Sequence, residues 1–469
     1  MAVELTSAKK EEETIRPEGY VPIASLPLRV PDRISKLTQE WLTDALRLKG
    51  KLKPEGKVTS MEVKPIGEGL GMMADMALIH LELEGATDGA PTRMVAKFAP
   101  HKAKMPSFMV KFQLRNEAHF YNDFSVKAGG LSRPECYLAA ERKRSKPTFI
   151  MLLEMVDNAT AYTRIGGCDH AEHLHQAVAA LGGLHSRWWG HKKRTAPLAW
   201  AMHPHAGLGR IFFSRTWFAY SLRKAVPAMK LWDPELFAPL IGMADLLKRG
   251  IAPMIKQCTS PPFTLVHGDA HLDNIFFAER FDGGCAFIDH ANMMLMKPLL
   301  DVAFFLGTNL HPDVRRAHED SLLRHYHAAL LAGGVDGVRY PFETCWRDYR
   351  WAMLQCFFGY GCFVVQDYAK QKRTRTGVYA ADEGTVSKGD RNLLKVYQGD
   401  SPSNPGFNGR LVAAIVDLKC DELIRDALGL TPTPKLVSPP STPTSPAKAA
   451  AAEAPPVEEA PPVAATPQL

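Results

Sequence analysis

The sequence predicts an α+β fold of two lobes: a small antiparallel sheet carrying one helix, then a larger, mostly helical lobe. Three observations predict it. Short alternating or apolar segments cluster between residues 58 and 153 around a single long helical stretch. Further along, apolar residues recur at helical spacing, through Leu174, Val178, Leu181, Leu184 and Trp188. The helical part has one interruption, from Thr264 to Asp289, where two apolar runs flank a polar loop. The expected division is an N-terminal arm over 1–34, a first lobe over 35–155, a second lobe over 156–430 and a tail over 431–469. The tail is Pro, Ala, Thr and Ser with few large apolar residues, so it cannot bury a core and is expected to be disordered.

Composition narrows the function classes. With 469 residues and 46% apolar content, the chain can build a sizeable packed core. A formal charge of +7 permits an anionic ligand but does not argue for nucleic acid. The longest apolar runs, such as Leu299 to Leu306, are too short to span a bilayer. Lys9 to Glu13 is charged and no apolar core region follows, so no secretory signal is expected. Eight scattered cysteines form no Cys-x-x-Cys pair, which disfavours a zinc ribbon or redox site and predicts a reduced, cytoplasmic protein.

In the first lobe, Thr38 can cap a helix over 38–46, with Glu40 in its first turn and Trp41, Leu42, Ala45 and Leu46 on one face. Strands are expected at Val58 to Lys64, Met76 to Leu83 and Arg93 to Phe98. Between the first two, Gly67, Gly69 and Gly71 stand at alternate positions. That spacing lets backbone N–H groups approach a phosphate closely, although an ordinary hairpin turn has the same composition. Lys97 lies on the third strand among apolar neighbours, where a lysine normally snorkels to the surface. A helix from about Pro106 to Lys127 carries Arg115, Asn116, Glu117, Phe120 and Tyr121. Strands near Glu135 to Ala140 and Thr148 to Leu153 follow, and the second leads through Glu154 to Val156 into a polar turn.

The second lobe opens at Asp169-His-Ala-Glu172, which resembles a capping box with Asp as the cap. His170, His173, His175 and His185 lack metal-ligand spacing and read as core or surface residues. Residues 187–262 hold 12 Lys and Arg against 3 Asp and Glu, with an aromatic set including Trp188, Trp200, Trp217, Phe218, Tyr220 and Trp232. They predict helices packed beside the polar loop. More helices are expected over 315–365, then a polar, basic loop from Lys370 to Gly389.

The polar loop reads His267-Gly-Asp269-Ala-His271-Leu-Asp-Asn274. Asp269 is a carboxylate that can accept a proton; Asn274 is an amide that can hold a metal ion. Two apolar runs then meet through Asp282-Gly-Gly284, a hairpin signal. In an antiparallel hairpin the start of the first strand lies beside the end of the second. Asn274 and Asp289 occupy those ends, so one register brings both over the same spot. Magnesium takes such oxygen ligands and completes its shell with phosphate and water.

These residues resemble the CHK kinase-like, or ecdysteroid kinase-like, family within the aminoglycoside phosphotransferase and choline kinase superfamily. The resemblance is carried by Arg115-Asn-Glu117-x-x-Phe-Tyr121, Leu153-Glu-Met155, Leu181-Gly-Gly-Leu-His185-x-x-Trp-Trp189, the His267-Gly-Asp269 loop, and Ile288-Asp289 followed by Asp301-Val-Ala. It covers about residues 35 to 430. One departure is His290, where the family often has an aromatic residue. The resemblance implies a two-lobed protein kinase-like fold and ATP- and Mg2+-dependent phosphorylation of a small-molecule hydroxyl. It implies Asp269 as the catalytic residue and Asn274 and Asp289 as magnesium ligands. Gly67, Gly69, Gly71, Lys97 and Glu117 would serve ATP, with Glu154 and Val156 offering backbone groups to adenine. His267, His271 and Asp301 would brace the loop. The acceptor expected from the scarcity of acidic residues over 187–262 is neutral or anionic and largely apolar, such as a steroid- or terpenoid-like alcohol. An aminoglycoside or choline acceptor, a nucleotide-binding pseudokinase and a metal-dependent hydrolase built on His267, Asp269 and His271 are the alternatives.

Overall fold

The computed structural model describes residues 28–66, 74–100, 106–125, 129–142, 148–191, 198–367, 396–397, 399–401 and 404–430. The glycine loop at Gly67, Gly69 and Gly71, the basic loop from Lys370 to Gly389, most of the arm and the whole tail lie outside the described residues.

The first lobe is a five-stranded sheet in the order β1–β2–β3–β5–β4. Its strands are β1 (Leu52–Ile66), β2 (Asp75–Ala86), β3 (Arg93–Phe98), β4 (Cys136–Arg142) and β5 (Thr148–Glu154), every neighbouring pair antiparallel. Helix α1 (Gln39–Leu48) starts where Thr38 caps it, its hydroxyl accepting from the Trp41 N–H at 3.2 Å. Leu42, Ala45 and Leu46 of α1 cover one face of the sheet, with Ile79, Met94, Ala96, Phe98, Ile150 and Leu152. Strand alternation turns Val95 and Lys97 to the other face. There α2 (Ser107–Asp123) lays Val110, Leu114, Ala118 and Tyr121 against Ala139, Phe149 and Met151. Lys97 therefore ends beneath a helix instead of snorkelling out, and is only 7% exposed.

Helix α2 stops at Asp123, short of the expected Lys127, because Phe124 is extended. The reason lies ten residues along the chain. The buried Arg133 guanidinium donates to the Phe120 carbonyl at 2.6 Å and to those of Tyr121 and Phe124, occupying the orphan acceptors of the last turn. Burial pulls its pKa down to about 10.

The second lobe is built from α3 (Ala171–Arg187), α4 (Arg215–Trp232), α5 (Ala244–Cys258), α6 (Leu299–Asn309), α7 (Pro312–Ala332), α8 (Phe342–Cys356), α9 (Phe407–Asp417) and α10 (Cys420–Ala427), enclosing one large apolar core. The cap of α3 is His170, not Asp169: its ring nitrogen accepts from the His173 N–H. Gly182 lets α3 lie close on α7, since a Cβ there would meet the Cβ of Ala329 at 2.6 Å. The aromatic set divides by depth, with Trp232 half-buried against the core. Trp188, Trp200 and Phe218 join the core, whereas Trp217 and Tyr220 face solvent beside the exposed Arg215, Arg223 and Lys224.

Two small ribbons interrupt the helices. Strands β7 (Thr264–Val266) and β10 (Met294–Met296) pair antiparallel, and β8 (Ile275–Phe277) pairs with β9 (Cys285–Phe287) and with β6 (Thr160–Ala161). The β8–β9 register puts Ile275 opposite Phe287, and the Ile288 N–H donates to the Asn274 carbonyl at 3.0 Å. No helix among the described residues is long and apolar enough to cross a membrane.

Candidate active site

The site forms where α2 and β3 meet the loops of the two ribbons. The Lys97 ammonium donates to Glu117 at 2.6 Å and to Asp289 at 3.1 Å. Glu117 is buried on α2, while the Asp289 side chain is 39% exposed and can meet a ligand. Burial alone would discharge the lysine, but Asp289 and Glu117 outweigh it and raise its pKa, so it stays charged. Burial pushes the Glu117 carboxyl up to about 7 against the pull of Lys97. Asp289 ends below the usual carboxylate range because Lys97 more than offsets its burial.

Asp269 lies in the β7–β8 loop, whose backbone is fixed from α6. The buried Asp301 carboxylate accepts from the His267 N–H at 2.6 Å and from the Gly268 N–H at 2.8 Å, and faces His185 Nε2 at 3.1 Å. His185 is held in turn by the Tyr326 hydroxyl at 2.8 Å. Gly268 has φ of +77°, and a Cβ there would strike the Asn292 carbonyl at 2.2 Å, so only glycine fits. His267 bridges the ribbons. Its Nε2 donates to the Ile288 carbonyl at 3.1 Å, which leaves Nδ1 to accept from the Asp269 N–H at 3.3 Å. Burial holds its pKa down despite Asp301, so the imidazole is neutral.

The Asp269 carboxylate accepts from Asn292 Nδ2 at 3.1 Å, with His271 Nε2 at 3.6 Å from its other oxygen. Burial, reinforced by the negative charge of Asp289, pushes its pKa up to about 7. Asn274 turns its amide nitrogen toward the Asp269 carbonyl and His271 Nε2, both at 3.1 Å, leaving Oδ1 for a ligand. A hard oxygen from Asn274 beside the half-exposed carboxylate of Asp289 suits magnesium, which needs only a few protein oxygens. A histidine-rich metal cluster does not suit this loop: both His267 nitrogens are engaged, and no group of three or more His, Cys, Asp or Glu among the described residues is arranged to hold a metal.

Glu154 and Val156 lie at the crossover between lobes. The Glu154 N–H is already given to the Glu135 carbonyl at 2.8 Å, and its carboxylate takes the Glu135 N–H and pairs with Arg280. Only its carbonyl, together with the Val156 backbone, can serve an adenine edge. The expected aromatic place behind Asp289 is filled by His290, whose ring lies 4.3 Å from that of Phe120 and 5.1 Å from that of Tyr121. Burial keeps it neutral.

Several site residues have no signal in the sequence. Arg164 grips Asp273 inside the loop through its Nε at 2.6 Å. The buried Arg410 gathers the carbonyls of Arg164, Ile165 and Asn309, and the Asn309 side chain accepts from the Leu272 N–H at 3.0 Å. After α8 the chain makes a π turn, Phe357–Gly361, which brings the Tyr360 hydroxyl to the Gly268 carbonyl at 2.9 Å. Gln113 and Asn292 likewise carry no signal in the sequence, since an isolated amide has no periodic or spacing signature.

Residues 220–333 match the model of the ecdysteroid kinase-like family, a span that holds Asp269, Asn274, Asp289 and Asp301. No curated protein matches the chain. Among solved structures it is similar to an ethanolamine kinase of Plasmodium vivax, at 11% identity and a TM-score of 0.42, covering 68% of this chain and 82% of that one. It is also similar to a glucosamine kinase, at 12% identity and a TM-score of 0.38, covering 79% and 100% of the two chains. A choline/ethanolamine kinase family protein of Mesorhizobium loti has 13% identity and a TM-score of 0.37, covering 80% and 99%.

Proposed function

We propose that the protein is a small-molecule kinase that moves the γ-phosphoryl group of ATP to a hydroxyl. The observation that carries this reading is the chain Glu117–Lys97–Asp289, drawn from a helix, a strand and a loop, ending at the ribbon that also holds Asn274 beside Asp269. A charged lysine clamped between two carboxylates is costly to bury and has an evident use in balancing phosphate charge. Asp269 accepts the acceptor's hydroxyl proton as the new O–P bond forms in line with the departing ADP oxygen. Lys97 neutralises phosphate charge, and Glu117 holds it at the right height. The Glu154 carbonyl and the Val156 backbone position adenine. Asn274 and Asp289 would hold magnesium, which draws charge off the phosphates in the transition state. Asp301, His267 and His271 keep the loop in place. Positioning and electrostatics supply most of the acceleration.

The acceptor we propose is a neutral or anionic, largely apolar alcohol, such as a steroid- or terpenoid-like molecule. Support comes from charge. Residues 187–262 contain Asp233, Glu235 and Asp245 as their only acids, and the Asp233 carboxylate is already taken by the Leu236 N–H at 2.9 Å. A polycationic acceptor needs facing carboxylates to replace its lost hydration. Among the described residues of 187–262, Trp188, Trp200 and Phe218 are spent in the core and Trp217 and Tyr220 face solvent, a division that does not favour a cage for a quaternary ammonium. The unpaired state of all eight cysteines fits a reducing, cytoplasmic setting. One ATP-coupled assay comparing hydroxylated steroids, choline and kanamycin tests the reading, with Asp269→Asn and Asp269→Ala as controls. Turnover of the neutral alcohols is expected, nearly abolished in both variants with ATP affinity much less affected. Efficient turnover of only the cations refutes the charge argument, and near-normal turnover in both variants refutes the role of Asp269.

A further inference from the structure

A carboxylate that takes a proton in flight has to point one way, so what holds the Asp269 side chain matters. Its one side-chain donor at hydrogen-bond distance among the described residues is Asn292, at 3.1 Å. Asn292 ends the short turn His290–Asn292, entered through the left-handed backbone of Asp289 at φ 59° and ψ 63°. That turn is gripped from the first lobe. Asn116 of α2 donates to the carbonyls of Ala291 at 3.3 Å and Met293 at 3.2 Å. Gln113 of α2 donates to Asn292 Oδ1 at 2.7 Å. Gln113, Asn116 and Glu117 share one helix face by their spacing of three and four residues.

The chemistry fixes the direction of this chain of amides. A carboxylate only accepts, so Asn292 must show it the NH2 end. That leaves Asn292 Oδ1 facing α2, where it needs a donor, and Gln113 supplies its own NH2. The other end of Gln113, Oε1, is buried without a hydrogen-bond partner. The bond to Asn292 is thus the polar contact that fixes this side chain, at a cost borne by its unmatched oxygen.

We infer that Gln113 and Asn292 form a relay through which helix α2 orients the Asp269 carboxylate, so that one helix face sets both the phosphate-binding lysine and the proton acceptor. The inference rests on the kinase reading above. With α2 in place, Glu117 holds Lys97 and Gln113 holds Asn292 against Asp269. When α2 moves away, both contacts are lost together, and the site loses its acceptor geometry along with its grip on phosphate. Asn292 and Gln113 are positioning residues; neither touches the reacting atoms.

The test uses the full chain with Asn292→Ala, Gln113→Ala and the double variant, measuring kcat, both KM values and Tm. Loss of a hydrogen bond to a charged group predicts a fall in kcat of roughly 10- to 100-fold for Asn292→Ala. A smaller fall is expected for Gln113→Ala, with KM for ATP within about twofold, since Lys97 and Glu117 are untouched. The double variant is expected to be no slower than Asn292→Ala alone, because Gln113 acts only through Asn292. Wild-type kcat in Asn292→Ala, or losses that multiply in the double variant, overturns the relay. If the wild-type protein shows no ATP-dependent turnover, the kinase reading has failed, and a second measurement still decides the relay without turnover. In 15N-labelled protein the Asn292 side-chain amide signals, identified by their absence in Asn292→Asp, are expected to shift both in Asp269→Ala and in Gln113→Ala. Signals unmoved by either substitution overturn the relay.

Discussion

Asp301→Asn changes no shape and removes only a charge and one acceptor, so it isolates what holds the catalytic loop. In the native protein one carboxylate oxygen takes the His267 N–H at 2.6 Å and the other takes the Gly268 N–H at 2.8 Å, at a site 1% exposed. An asparagine has one carbonyl. If it serves His267, its NH2 group confronts the Gly268 N–H, donor against donor, at a buried position. A stranded buried donor costs about 1–3 kcal/mol, and the surviving bond loses its charge assistance, about 1 kcal/mol more, for a total near 3 kcal/mol. At roughly 2–4 °C per kcal/mol for a large domain, Tm is expected to fall by about 6–12 °C. Thermal unfolding of the full chain followed by circular dichroism measures this, alongside kcat, which is expected to fall at least about tenfold as Asp269 loses its backbone anchor. A Tm within a degree of wild type with unchanged kcat refutes the reasoning, because it would mean the two short bonds carry no free energy.

Two other perturbations test separate parts of the site. Asp289→Ala is expected to weaken Mg·ATP binding more than Asn274→Ala does, because a carboxylate gives a divalent cation more than an amide; calorimetry showing unchanged binding in Asp289→Ala would refute the metal assignment. His290→Phe is expected to flatten the acid limb of the stability curve. Burial holds the His290 pKa well below 6.5, with His267, Arg133 and Lys97 adding to the effect. Its folded form refuses a proton that the unfolded chain accepts, so its contribution is intact above about 6.5 and is lost as pH falls, by up to roughly 2 kcal/mol near pH 5. Tm measured from pH 7 to 5 should decline less steeply in the variant, and parallel declines would rule the idea out.

What the sequence reveals depends on whether a residue's neighbours lie along its own element. The hairpin register is enough to place Asn274 beside the end of β9, whereas Arg93–Phe98 reads only as a short apolar run and the burial of Lys97 comes from α2 covering its face. The end of α2 was not legible, because its stop signal is Arg133, outside the helix and joined to it only by folding. The cap of α3 lies one residue beyond the Asp169 that the sequence predicts, because Asp169 has the better capping chemistry while the backbone turns at His170. The aromatic residues of 187–262 could not be divided between core and surface, since Trp217 and Phe218 are adjacent and only the orientation of α4 separates them. Asn292 and Tyr360 reach the loop from other elements and Arg410 acts on it through Arg164 and Asn309, and no local pattern announces such contacts.

The π turn at Phe357–Gly361 makes the length of its helix a fixed quantity. Such a turn is an α-helix carrying one residue more than the ladder needs, and closing it restores ordinary geometry with one residue removed. Tyr349 and Leu354 anchor the segment before it in the core; Cys362 and Val365 anchor the segment after it. A single deletion here closes the bulge and leaves both anchored segments in register, so the change falls on the turn itself. The Tyr360 hydroxyl then loses its place at the Gly268 carbonyl. A surface loop of this protein can gain or lose a residue and pass the change to solvent. This helix cannot, so insertions and deletions between residues 357 and 361 should be read as changes to the active site.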